Sequence, residues 1–207
     1  MADLILYTNP MSRGQIARWM LEEIGAGYDE VILDYGTTMK AAPYLAINPM
    51  GKVPAIVHHG KAVTECAAIC AYLAEAFPDA GLAPAAAERA DYYRWLFFAA
   101  GPLEQAIADH HRKIVPTEEQ MRMVGYGSYA LTVDVLERAV AAQPYIAGDR
   151  FTAADVYVGA QVIWGLDFGT LPRRDAFVAY ADRLRARPAC RAARARDEAL
   201  MPPRSGG

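Results

Sequence analysis

The segment VTECAAICAYL (63–73) places Glu65 and Cys66 where a strand gives way to a helix. Backbone N–H groups at a helix N-terminus bind anions, and a carboxylate beside them binds an ammonium. Glu65 and the Cys66 amide can therefore grip the two charged ends of an α-amino acid group. The competing reading is an acidic residue that only complements the helix dipole. A second segment, NPMGKVPAI (48–56), sets Pro54 at the start of a strand. Proline cannot donate to a ladder, so Pro54 belongs at the strand's open end. With a cis Val53–Pro54 bond, which tight turns allow, Val53 offers its N–H and C=O outward, and a peptide ligand could pair with them as an extra strand. The start of a hairpin with no ligand fits the same residues. A third segment, LYTNPMSRGQIARWMLEEIGAGY (6–28), runs from a strand through Asn9-Pro10 and Ser12-Arg13-Gly14 into an amphipathic helix. Taken alone, Ser12 is that helix's N-cap.

The elements that must position these residues follow from periodicity. DLILY (3–7) is a short apolar strand, and Ile16, Trp19, Met20 and Ile24 recur at a helical period up to a Gly25 stop. YDEVILD (28–34) is a second strand, and AAPYLAINP (41–49) a short helix. VPAIVHH (53–59) and KAVT (61–64) form a hairpin about His59-Gly60, and Glu65 to Phe77 is a helix. The order is β-α-β-α-β-β-α with the last two strands antiparallel. The Pro/Ala/Gly-rich PDAGLAPAAA (78–87) reads as a linker. Beyond it only helical patterns appear, at 88–112, 118–142, 153–166, 174–186 and about 189–200, and the tail PPRSGG (202–207) is expected to be disordered. Two domains are expected, 1–79 and 88–207.

Composition narrows the class. Of the 207 residues, 54% are hydrophobic and 22% charged, which suits a folded soluble chain. A net charge of −3 gives no electrostatic footprint for nucleic acid or an anionic membrane. No apolar run reaches transmembrane length, and Asp3 with no basic segment precedes the first strand, so a cytoplasmic location is expected. Cys66, Cys70 and Cys190 are too few for a disulfide framework. Cys66 and Cys70, four residues apart, are expected to be buried thiols rather than metal ligands, and no metal is expected.

Taken together, the motifs resemble those of the cytosolic glutathione transferase superfamily over essentially the whole chain. NPMGKVPAI looks like that family's N-P-x-G-x-V-P-x-L segment, and TECAAICAYL like its E-S-x-A-I-x-x-Y-L segment. FTAADVYVG (151–159) is similar to its capping box, with Thr152 as cap, Asp155 returning the bond and Phe151 as staple. The resemblance implies a thioredoxin-like N-terminal domain that binds glutathione and an all-α C-terminal domain that forms the second-substrate pocket, in a cytoplasmic homodimer. It is of a serine- or cysteine-class type, with the class left open.

Carried over by position, Val53 would pair its backbone with the cysteinyl part of glutathione, and Pro54 would be the cis-proline. Glu65 and Cys66 would hold the γ-glutamyl amino and carboxylate groups. The family usually has Ser after the Glu, and a thiol is a poorer donor, so carboxylate binding would rest on the Cys66 N–H. Lys40 and Lys52 are candidates for the glycyl carboxylate. In the turn after the first strand, this family stabilises the glutathione thiolate, whose free pKa lies near 8.5. Tyr7 lies in the strand and is set aside, and the turn holds no cysteine. Ser12 is the natural donor, at a helix N-terminus that favours a thiolate. Arg13 is an alternative source of positive field, and Thr8 and Asn9 are further possibilities.

In the helical half, Pro102 is expected to kink the helix at 99–113. Met11, Glu104, Gln105 and His111 are candidates for the second-substrate pocket. Adjacent His110 and His111 point about 100° apart, which makes a poor metal pair and fits a solvated face. Tyr92, Tyr93, Trp95, Phe97 and Phe98 are expected in the core and at a dimer contact, with Met50 as a further dimer residue. The expected activity is conjugation of glutathione to, or reduction with it of, a small hydrophobic electrophile. The alternatives are a non-catalytic binding protein of the same fold and a glutathione-dependent disulfide reductase.

Overall fold

A computed structural model describes residues 3–201, so the tail PPRSGG lies outside the described residues. Two compact units are present, one built from residues 3–81 with 186–201, the other from 82–185. The first holds β1 (Leu4–Thr8), α1 (Gly14–Ile24), β2 (Asp29–Ile32), α2 (Ala42–Leu45), β3 (Ala55–His58), β4 (Lys61–Thr64) and α3 (Cys66–Ala76). The sheet order is β2-β1-β3-β4, with β1 parallel to β2 and antiparallel to β3. Register pairs Ile5 with Val57 and Ala55 with Thr64. This is the expected thioredoxin-like arrangement.

Its core follows from alternation and helical period. Leu4, Leu6 and Thr8 alternate inward on β1, and Ile56 joins them from β3. On the helices, Ile16, Met20, Ile69 and Leu73 close the core. The β3–β4 turn needs two left-handed residues, and His59 (φ 48°) and Gly60 (φ 74°) supply them.

The last helix departs from the sequence reading, which ran one helical domain to residue 207. Helix α10 (Pro188–Leu200) belongs instead to the first unit, against α1. The cause is charge as well as shape. Arg18, fully buried on α1, donates to Asp197 of α10 at 2.8 Å and to Glu30 of β2 at 2.6 Å. Arg187 forks onto Glu23 at 2.6 and 2.7 Å, and Arg196 meets Glu22 at 2.8 Å. A buried guanidinium without such partners would be prohibitive.

The second unit holds α4 (Arg89–Phe98), α5 (Glu104–His111), α6 (Glu118–Met123), α7 (Tyr129–Ala142), α8 (Ala153–Phe168) and α9 (Asp175–Arg185). The expected kink at Pro102 takes the form of a π-helical turn at Ala99–Leu103 between α4 and α5. The expected single helix at 118–142 is two, broken where Gly127 takes φ 66° and Ser128 caps α7 through Leu131 N–H. Apolar on nearly every side, α8 is the buried axis of the unit. Its capping box is present: Asp155 accepts from Thr152 N–H at 2.9 Å, and also from Ile146 N–H at 2.7 Å and the Tyr180 hydroxyl at 2.8 Å. Among the described residues no helix is long and apolar enough to cross a membrane.

Candidate functional site

Two loops of the first unit are built by one tripeptide, Asn-Pro-Met, used twice. In each, the asparagine carbonyl oxygen of the side chain accepts the methionine N–H: Asn9 from Met11 at 2.9 Å, Asn48 from Met50 at 3.1 Å. In each, the asparagine backbone carbonyl then accepts the next N–H: Asn9 from Ser12 at 3.1 Å, Asn48 from Gly51 at 2.8 Å. Asparagine closes such turns through its own side chain, and proline pre-sets the following φ. Both asparagines are buried, whereas the methionines stand 66% and 69% exposed. Asn9 is further tied to the start of the next loop by donating to Leu33 O at 2.8 Å. Its side-chain oxygen and one amide N–H are thus engaged, and Asn9 frames the turn.

The first turn carries Ser12. Its hydroxyl donates to Asn9 O at 2.7 Å and accepts from Gly14 N–H at 2.9 Å. Ser12 thus does serve the start of α1, one residue ahead of Arg13, which occupies the N-cap position. Its proton is not locked there, because Asn9 O keeps the Ser12 N–H when the hydroxyl turns away. Gly14 follows because no side chain fits: a Cβ would lie 1.9 Å from Thr8 Oγ1. Thr8 itself is fully buried, beneath the turn.

The second turn carries Lys52, Val53 and Pro54. The Val53–Pro54 bond is cis. Ladder pairing of β3 begins at Ala55, so the Val53 backbone lies beyond it, with no hydrogen bond among the described residues. The Lys52 carbonyl is held by the Tyr44 hydroxyl at 2.5 Å and the Asn48 amide at 2.8 Å. Burial pushes the Tyr44 hydroxyl up to about 12, so it stays a donor at neutral pH. The Lys40 ammonium reaches Gly51 O at 2.7 Å and Met50 O at 3.3 Å, which sets it on this loop. Gly51 at φ 57° lets it approach, since a Cβ there would meet Lys40 Nζ at 2.8 Å.

Glu65 stands exposed at the start of α3 with φ 65° and ψ 118°. A non-glycine residue held there costs on the order of 1–3 kcal/mol. Behind it, Cys66 is buried and its Sγ–H points at the Arg13 carbonyl at 3.6 Å. That contact sets the N-terminus of α3 against the Ser12 turn. Cys70, one helical turn on, is fully buried, and burial pushes its thiol well up, leaving it an inert thiol.

Glu104, Gln105 and His111 belong to the second unit. Glu104 accepts from Gln161 at 3.2 Å. Gln105 is turned toward Asp109, to which it donates at 2.9 Å alongside the Tyr126 hydroxyl. The Gln105 and Tyr126 bonds hold the Asp109 carboxyl below its usual range. His111 is exposed on the last turn of α5, and His110 stacks on Tyr129 at 3.8 Å. On α4, Tyr92 and Trp95 are buried while Tyr93 and Phe97 are exposed. Sequence reasoning missed Asn48, Tyr44 and Gly51 as framing residues. The repeated Asn-Pro-Met was the signal that could have found the first.

Residues 2–75 match the sequence profile of the family described as "Glutathione S-transferase, N-terminal domain". Glutathione S-transferase 3 of Zea mays is 31% identical over 75% of this chain and 75% of its own. The disulfide-bond oxidoreductase YfcG of Escherichia coli K12 is 28% identical over 89% of this chain and 91% of its own. A sphingomonad glutathione S-transferase in complex with glutathione superposes with a TM-score of 0.76 at 27% identity, covering 94% of this chain and 98% of that one.

Proposed function

This chain belongs to the glutathione S-transferase family, and we propose that it binds glutathione across the two Asn-Pro-Met turns and the start of α3, and conjugates it through its sulfur to a small hydrophobic electrophile. The observation that carries this reading is Glu65, held exposed at φ 65° where the strand meets α3. Strain of that kind persists where function keeps it. The Glu65 carboxylate takes the γ-glutamyl ammonium, and the Cys66 N–H with the helix dipole takes its carboxylate. The Val53 backbone pairs with the cysteinyl residue, with Pro54 setting the strand's start. Lys40, with Lys52 beside it, faces the glycyl carboxylate.

Bound in this way, the thiol lies at the Ser12 turn. The Ser12 hydroxyl rotates from Asn9 O to donate to the sulfur, and the Arg13 guanidinium adds positive field, so the thiol loses its proton near neutral pH. The sulfur then bonds to the electrophilic carbon, and the leaving group departs with its electron pair. Met11 offers apolar surface beside the sulfur, and within the second unit Glu104 and His111 share one face of α5. Met50, Tyr93 and Phe97 are the exposed apolar groups that a homodimer would cover. The protein acts in the cytoplasm.

Ser12→Ala tests the mechanism. Glutathione affinity should stay within about twofold, while the pKa of the bound thiol rises and turnover of an aryl halide falls about 10²-fold. An unchanged thiol pKa would pass the role to Arg13. The likeness to an oxidoreductase of disulfides supports a second reading, glutathione-dependent disulfide reduction. It is the correct one if Ser12→Ala is fully active and small disulfides turn over faster than aryl halides.

A further inference from the structure

Helices α1 and α3 both begin at the candidate glutathione site, and both end at the opposite pole of the sheet. There, where α1 closes at Ile24–Gly25 and α3 at Ala76–Phe77, a cavity of about 640 Å³ opens within the first unit. That volume suits a small organic ligand. The sign of the ligand follows from the helices. Their N-termini favour anions, so their C-termini carry the complementary negative potential. Two carboxylates, Asp3 and Asp79, stand on the same rim.

A separate observation comes from the wall. His58 is more than nine-tenths buried and lines the cavity. Its Nδ1 meets the Tyr72 hydroxyl at 2.9 Å, and its Nε2 has no partner among the described residues. Its ring stacks on Phe77 at 5.3 Å and against His59 at 4.0 Å, with His59 beside Asp3 at 4.0 Å. Burial, with His59 next to it, holds His58 below the ordinary histidine range, so it is an uncharged ring at neutral pH. An unpartnered imidazole nitrogen, an aromatic face and a negative rim converge on one chemistry, a cationic head on an apolar stem.

We propose that this cavity binds a small aliphatic amine as its ammonium ion. The ammonium donates to His58 Nε2, with the Nδ1–H of that tautomer donating to Tyr72, and to the carboxylates of Asp3 and Asp79. The stem lies against Leu4, Ile24 and Phe77. The site is independent of glutathione chemistry, at the far end of the two helices that would hold the tripeptide.

The test is titration of the full chain with n-butylammonium chloride at neutral pH, followed by backbone amide NMR, with n-butanol as the uncharged control. Saturating shifts confined to 25–27, 58–60 and 76–80 are expected, with n-butanol binding at least about tenfold more weakly. Replacing the exposed pair by Asp3→Asn and Asp79→Asn together should weaken the amine about fivefold without unfolding the chain, two rim charges being worth about 1 kcal/mol. Shifts that do not saturate by about 100 mM, a dissociation constant weaker than about 10 mM, overturn the proposal. So does equal binding by n-butanol, or a response centred on residues 9–13 instead.

Discussion

At the scale of single residues, Ser12 and Glu65 show how far residue type predicts role. Both were legible as candidates, Glu65 from its place at a helix N-terminus and Ser12 through the family resemblance. What could not be read was the state of the Ser12 proton, because it depends on a carbonyl that only the folded Asn9 turn brings to 2.7 Å. Thr8 was legible only as a possible donor, and the space it denies to Gly14 was not. Gly14→Ala should therefore destabilise the chain by about 1–3 kcal/mol in urea unfolding, with part of the loss recovered in the double variant with Thr8→Ala. Full stability of Gly14→Ala would contradict the packing described. Lys40→Ala, which removes one exposed ammonium from the second turn, should weaken glutathione about five- to tenfold. Calorimetry would show this as a lost enthalpy, with no change for a ligand lacking the glycyl carboxylate.

At the scale of elements, periodicity placed the four strands and most helices because each had to bury one face. It misjudged 118–142, where an apolar period continues across Gly125 and Gly127 and only the backbone's left-handed turn at Gly127 reveals the break. The capping box at Thr152 and Asp155 was readable because its spacing is local. The further donors that Asp155 collects, Ile146 N–H and the Tyr180 hydroxyl, were not, since they arrive from other segments. Asp155→Ala strands these buried donors and should cost about 2–4 kcal/mol of stability. Thermal unfolding would register it, and glutathione affinity of the folded fraction should be unchanged. A variant as stable as the parent would mean that water replaces the carboxylate.

At the scale of the whole molecule, the chain returns to its first unit at the end. RAARARDEA (191–199) shows only a helical pattern, because its one buried acid, Asp197, is invisible until Arg18 is found fully buried on α1. Burial lifts the Asp197 carboxyl to about 6, against the pull of Arg18. In the unfolded chain the same group titrates near 3.9. The folded state thus holds this proton more tightly than the unfolded one. The group's contribution to stability is full below about pH 4 and is lost as pH rises through about 6. Unfolding free energies of the parent should therefore fall relative to those of Asp197→Asn between pH 4 and 7, and run parallel above pH 7. Parallel curves over the whole range would show that Asp197 is ionised throughout.

The central claim is that the two Asn-Pro-Met turns and the strained start of α3 form one glutathione site. Calorimetric titration of the purified chain with glutathione, beside Glu65→Ala, tests it most directly. The account predicts saturable binding in the micromolar to millimolar range by the parent and none by Glu65→Ala at the same concentrations, with both chains equally folded. Binding that survives in Glu65→Ala, or a parent chain that takes up no glutathione at millimolar concentration, would contradict it.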